Sequence, residues 1–188
     1  SDGVLATSEG ELVLGYEEDR VDIILRNGRF ETGGVAEWTG TNTVPAISTT
    51  ANRSGTYGLQ VTVSSDAGTL SQAYGGTDTV FRGQDLTLGF YARRTSGSGS
   101  VTARITDNGV SQTDSSASST TFFSLVEVTH TVHSSATAIT FTLLFSKASD
   151  VWEIDDIFVI PEGGISFTGT PVAFANEYYV PCGRTICK

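Results

Sequence analysis

Methionine is absent from this chain of 188 residues, which also holds only 11 basic residues, two histidines and two cysteines. Each scarcity excludes something. Nucleic-acid binding draws its affinity from clustered Lys and Arg facing phosphates, and a formal charge of −10 with no basic cluster excludes nucleic acid as a partner. Anionic membrane surfaces are disfavoured on the same ground. No apolar run approaches the roughly 20 residues of a membrane span, so membrane insertion is not expected, and the opening SDGVLATSEG lacks the basic-then-apolar order of a signal peptide. A chain without methionine that begins with serine fits loss of an initiator methionine from an unexported product, while a removed signal would leave no trace. Cys182 and Cys187 in PCGRTICK are too few for a metal site without further ligands; a short-loop disulfide between them stays open.

Catalytic signatures are scarce as well. There is no Gly-x-Ser-x-Gly elbow, no phosphate-cradling glycine loop and no zinc motif. His130 and His133 lie three apart on one strand-like segment, hence on opposite faces, and cannot jointly hold a metal. Glu31, Glu127 and Glu153 are the carboxylates one would nominate for glycoside hydrolysis, which needs a pair brought within about 5 to 9.5 Å. Nothing beside them in sequence marks a raised pKa, and the expected role is non-enzymatic.

What the chain does have is a run of short strand patterns. Charged residues make up 17% and apolar ones 38%, with Ser, Thr and Gly filling most of the rest, which suits strands and turns better than helices. From Arg26 to Ile160 the segments YGLQVTV, TLSQAY, LTLGFYARR, VTARITD, FFSLVEVTHTVH, ITFTLLF and VWEIDDIFVI follow one another between Gly, Ser, Asn and Asp. Such spacing predicts an all-β sandwich or jelly roll. Leu59, Val61 and Val63 share one face of their strand, as do Val101, Ala103 and Ile105, so each strand has one wet side.

Before the sandwich, Leu12 to Tyr16 and Val21 to Leu25 flank the charged turn Glu17-Glu18-Asp19-Arg20, a hairpin pattern. A lone hairpin is marginal in water, so this one needs a partner surface. Residues 161–188, with FANEYYVPC, are too apolar for an idle linker and read as an extended tail along a neighbouring surface. The expected division is therefore a hairpin over 1–25, a sandwich over 26–160 and an extension over 161–188.

Two acidic features stand out in apolar settings: Glu31 inside LRNGRFETGGVAEW, and Asp155-Asp156 inside WEIDDIFVI. Neighbouring carboxylates repel unless a cation or hydrogen bonds neutralise them. A cation is one reading; the other has Glu31 and one Asp capping backbone N–H groups at sheet corners while the second Asp faces solvent.

The order of NGRFETGGVAEW, SGTYGLQVTV, LTLGFYARRTSGSGSVTARITD, FFSLVEVTHTVHSSATAITFTLLF and WEIDDIFVI resembles the carbohydrate-binding modules of the family 4 and 9 type over about residues 26 to 160. The resemblance implies a jelly-roll β-sandwich and a structural Ca2+ held by Glu31 with Asp155 or Asp156, glycine-bend carbonyls completing its six to eight oxygens. It implies a sugar ligand too. Trp38 and Trp152 sit where core packing is expected. The candidates for ligand contact are Tyr74 and Tyr91, with Arg93, Arg104, Gln72 and Gln112 as hydrogen-bonding partners, against the plainer reading of both tyrosines as cross-strand packing.

The segment SEGELVLGYEEDRVDIILRNG is similar to GEL-type hairpins near the N-termini of bacteriophage fibre and head-fibre proteins, with an acidic turn where those have a neutral one. That similarity implies anchoring to other virion proteins, as a homotrimer. The expected function is a non-enzymatic virion surface protein, a capsid decoration or fibre component, that displays its sandwich to host glycans. The alternative is a binding module of a secreted polysaccharide-degrading enzyme.

Overall fold

The structure, a computed structural model, describes residues 24–74, 81–107 and 112–161, with the backbone of residues 5–6 and 12–13. Among the described residues twelve strands run β1 (Leu5–Ala6), β2 (Leu12–Val13), β3 (Thr39–Thr41), β4 (Thr43–Ser48), β5 (Gly58–Val63), β6 (Gly68–Ala73), β7 (Asp85–Ser96), β8 (Val101–Thr106), β9 (Gln112–Asp114), β10 (Ser124–Thr131), β11 (Thr140–Phe145) and β12 (Val151–Pro161). The main body is two antiparallel five-stranded sheets, ordered β10-β7-β12-β5-β4 and β3-β6-β11-β8-β9. The chain changes sheet repeatedly, so sequence neighbours such as β11 and β12 face each other across the core. This is the jelly-roll sandwich expected from the strand patterns.

Alternation dictates the packing. Leu59, Val61 and Val63 are fully buried, as are Val101, Ala103 and Ile105, and they meet Phe90, Phe141, Phe145 and Trp152 between the sheets. Trp38 and Trp152 are core residues, as their positions predicted, and each lies about 6 Å, centroid to centroid, from a phenylalanine ring: Phe30 for Trp38 at 6.3 Å, Phe145 for Trp152 at 6.2 Å.

Three strands escape the sequence patterns, and all three lie at sheet edges. β3 and β9 flank one sheet and have three residues each, too few to show a period. β4 carries Pro45, which breaks a central strand but is tolerated on an edge, where its missing N–H faces no partner. The N-terminal pairing also differs from the expected one. β1 pairs with β2, Leu5 opposite Val13, whereas Ile24 and Leu25, expected in the second hairpin strand, are buried in the sandwich core. The expected turn at 17–20, the tail at 162–188 and both cysteines lie outside the described residues.

One irregularity shapes the outer face of the β10-β7-β12-β5-β4 sheet. Between Asp155, opposite Tyr91, and Phe158, opposite Gly89, β12 holds one residue more than β7, a β-bulge with Asp156 at φ 50°. The bulge turns the Ile157 N–H onto the Gly28 carbonyl at 2.9 Å. Gly28 permits that approach, because a Cβ there would sit 2.0 Å from the Ile157 carbonyl oxygen. Gly28→Ala is expected to destabilise the fold by about 1–3 kcal/mol, an overpacking cost, measured by urea denaturation; a neutral outcome would mean the turn is not held against the bulge.

Candidate functional site

The outer face of the β10-β7-β12-β5-β4 sheet is built from the residues that alternation turns away from the core. Register sets Leu125, Tyr91 and Asp155 in one row across β10, β7 and β12, with Arg93, Glu153 and Gln60 in the next row across β7, β12 and β5. On the other side of Tyr91, Glu127 lies opposite Gly89, and Phe158 lays its ring over that glycine, where a Cβ would come within 2.3 Å of it. Gly89 is thus what lets an aromatic ring lie flat across β7.

Two cations cover two rings on this face. The Arg53 guanidinium lies 3.5 Å from the Tyr91 ring centroid, and that of Arg93 lies 4.5 Å from the Phe123 centroid. Each is paired with a carboxylate: Arg53 Nη1 donates to Asp156 Oδ2 at 2.6 Å, and Arg93 Nε to Glu153 Oε2 at 2.5 Å. Phe122, 69% exposed, and Leu125, 42% exposed, add apolar surface on the β10 side. Beside them, Ser116 to Thr120 and Ser124 to Glu127 border an open groove of about 540 Å³.

The loop that delivers Arg53 is held by the three carboxylates proposed for calcium. Glu31 accepts the Thr56 and Tyr57 N–H groups, both at 3.0 Å, entering a space that only a glycine at position 55, φ 65°, leaves open. Asp155, fully buried, accepts Arg53 N–H at 2.7 Å, Ser54 N–H at 2.9 Å and Asp156 N–H at 2.7 Å. Asp156 takes the Ser54 hydroxyl at 2.6 Å and Arg53, with Arg29 3.6 Å away.

All six carboxylate oxygens of the trio therefore face N–H, O–H or guanidinium donors. In this arrangement the three carboxylates are engaged with the donors of the loop and of Arg53, and among the described residues no group of three His, Cys, Asp or Glu side chains is placed to hold a metal ion. Glu31 and Asp155 instead cap backbone N–H groups, and Asp156 joins two arginines rather than facing solvent alone.

The remaining candidates are scattered. Arg104 and Gln112 lie on the outer face of the opposite sheet, where Arg104 makes a two-pronged pair with Asp114, Nε–Oδ1 2.7 Å and Nη2–Oδ2 2.8 Å. Gln72 is buried and ties the N-terminal turn, accepting Arg26 N–H and donating to the Arg26 and Glu37 carbonyls. Tyr74 packs edge-on against Phe81 beside the core. Of the six, Tyr91 and Arg93 share the outer face of the β10-β7-β12-β5-β4 sheet, whereas Arg104 and Gln112 share that of the other. Arg53, Phe123 and Phe158 were missed: Arg53 stands in the turn ANRSGTYG, which no pattern connects to β7, and the FF and RR pairs offered the only cues.

His130 is buried in β10 between the Asp107 carboxylate, 3.1 Å from Nε2, and the Thr113 hydroxyl, 2.9 Å from Nδ1. Asp107 also accepts the His133 N–H at 2.7 Å, so one carboxylate serves both histidine positions as a corner tie between the sheets.

The outer face of this sheet thus carries rings and paired charges on solvent-facing strands. The sequence matches the carbohydrate binding domain family CBM_4_9 over residues 23–150, and the chain belongs to that family. No curated protein matches it. Among solved structures it is similar to the CBM22-1 xylan-binding domain of Paenibacillus barcinonensis Xyn10C, with 15% identity, TM-score 0.60, and 71% of this chain and 91% of that one covered. It is similar to TmCBM61, solved with β-1,4-galactotriose, at 18% identity, TM-score 0.57, covering 74% and 98%. A third likeness is to the enzymatically active domain of bacteriophage CBA120 tailspike protein 4, at 14% identity and TM-score 0.57, covering 73% of this chain but 21% of the tailspike. At such identities the likeness is one of fold.

The loop lock yields two expectations. Burial pushes the Asp155 carboxyl above the ordinary aspartate range, and the neighbouring Asp156 charge adds to this, against the pull of the N–H donors of Ser54, Arg53 and Asp156. A carboxyl with a raised folded pKa binds its proton more tightly when folded, so its contribution is fully present in acid and lost as pH rises through the folded pKa. Wild type should therefore gain stability relative to Asp155→Asn as pH falls towards the ordinary aspartate range, and a constant difference in denaturation midpoints across that range would refute the assignment. Asp114, held below the ordinary range by its hydrogen bond to Arg104, acts with the opposite sign. Asp155→Ala strands three N–H groups and should cost roughly 2–5 kcal/mol, whereas adding a chelator to wild type should leave its melting temperature unchanged.

Proposed function

We propose that the protein is a non-catalytic glycan-binding module whose ligand lies on the outer face of the β10-β7-β12-β5-β4 sheet. The observation that carries this reading is the meeting of Tyr91, Arg93, Phe123, Phe158 and Glu127 on one solvent-facing sheet surface. Flat apolar planes suit the CH faces of a sugar ring, and guanidinium and carboxylate edges suit its hydroxyls. The opposite sheet offers mainly Thr and Ser, with the closed Arg104–Asp114 pair and no ring among its outward residues. A β-linked polysaccharide is the ligand class we favour, in line with the xylan and β-1,4-galactotriose named for two modules of the same fold.

For the setting we propose display on a bacteriophage virion, with residues 1–25 anchoring a homotrimer to other virion proteins. The Gly10-Glu11-Leu12 segment and the occurrence of this sandwich fold within a tailspike support it. The alternative, a module of a secreted polysaccharide-degrading enzyme, is supported by the xylan-binding likeness.

Binding of the full chain to an array of plant, algal and bacterial polysaccharides tests the first proposal. Retention on at least one is expected, with Tyr91→Ala lowering affinity about tenfold or more, the usual loss for a central aromatic. A silent array would refute the glycan reading. Light scattering tests the second: a trimer is expected, and a stable monomer would favour the enzyme setting.

A further inference from the structure

The sheet face repeats one construction. A carboxylate holds a guanidinium, and the guanidinium lies over a ring: Asp156, Arg53 and Tyr91 in one case, Glu153, Arg93 and Phe123 in the other. The two stacks are close, because Tyr91 and Arg93 are alternate residues of β7 and so lie about 6.8 Å apart along the strand. Neither cation is loosely placed. The Arg53 backbone N–H is fixed on buried Asp155, and Arg93 also reaches the Thr50 carbonyl at 3.3 Å. Arg53 keeps 40% of its side chain exposed and Arg93 34%, whereas Tyr91 beneath Arg53 is half buried.

Resting on the glycan reading above, we propose that the planes of Arg53 and Arg93, rather than bare rings, are the surface that meets the sugar, and that they select neutral over acidic glycans. Two consequences of the geometry carry this. A ligand approaching Tyr91 or Phe123 finds a guanidinium already stacked there, with N–H edges positioned to donate to hydroxyls. Each guanidinium charge is also already matched by a carboxylate at hydrogen-bond distance. An acidic sugar would have to break one of those pairs, and it would meet Glu127, Glu153 and Asp156 on the same face as Arg53, Arg93 and the nearby Arg29. A neutral polyol needs no such exchange.

The experiment is affinity electrophoresis of the full chain in gels containing xylan, β-1,4-galactan or polygalacturonate, backed by an array of further neutral and acidic polysaccharides. Retardation by a neutral polysaccharide and none by polygalacturonate is expected. Arg53→Ala and Arg53→Lys should each weaken neutral binding about tenfold, the lysine variant because it keeps the charge but loses the planar fork. Asp156→Asn and Glu153→Gln leave a guanidinium uncompensated and should create retardation by polygalacturonate that fades with added salt, a gain that misfolding does not produce.

Unchanged or stronger neutral binding by Arg53→Ala would overturn the proposal, since it would mean that the uncovered ring is the contact. Equal retardation of wild type by polygalacturonate would overturn it too, as would absence of any gain in both carboxylate variants. These outcomes leave the glycan reading standing if wild type is retained and Tyr91→Ala is not; silence of every polysaccharide removes both.

Discussion

The bulge in β12 is the constraint on which the outer face of its sheet depends. One extra residue after Asp155 sends Asp156 into left-handed backbone and hands the Ile157 N–H to Gly28, tying the N-terminal turn to the last strand. It also sets two adjacent aspartates to separate tasks. Asp155 is sealed under the 52–57 loop as a triple acceptor, while Asp156 stays partly exposed as the counter-charge of Arg53. Without the bulge the pleat would place the two carboxylates on opposite faces of the sheet, one of them in the core.

The loop lock explains how hydrogen bonds and guanidinium charge stabilise a carboxylate cluster. Glu31 and Asp155 together fix backbone N–H groups from Arg53, Ser54, Thr56 and Tyr57, so the loop is defined by side chains from two distant segments. Arg53 is the only strongly basic member of that loop and bridges it to the sheet, lying on Tyr91 and pairing with Asp156. The stability of the loop and the shape of the proposed binding face are therefore one problem. Fold and face share residues, which is why a charge-poor protein concentrates so many of its carboxylates here.

The strands with strict alternation were legible in advance, because period-two patterning in β5, β8, β10 and β11 follows directly from burial of one face. The edge strands were not. A three-residue strand has no period, and Pro45 reads as a breaker until its place at the end of a sheet is known. Membership of a carbohydrate-binding domain family was legible from the order of segments, and the family model matches over residues 23–150. The grouping of side chains was only partly legible: Tyr91 and Arg93 do share a face, but Arg104 and Gln112 fall on the opposite sheet, and Gln72 is a buried tie.

By itself, then, the sequence determined that this is an all-β sandwich, which residues fill its core, and that Glu31, Asp155 and Asp156 sit in settings that demand neutralisation. Those properties are local, set by patterning, composition and the cost of burying charge. Only the tertiary structure decided what does the neutralising and what the face presents. Arg53 is 38 residues from Tyr91 and 103 from Asp156 along the chain, and nothing in a linear pattern encodes that the β4–β5 loop folds over the β12 bulge. Sheet order brings those three groups within a few ångströms, and that contact turns an aromatic on a strand into a guanidinium-covered surface.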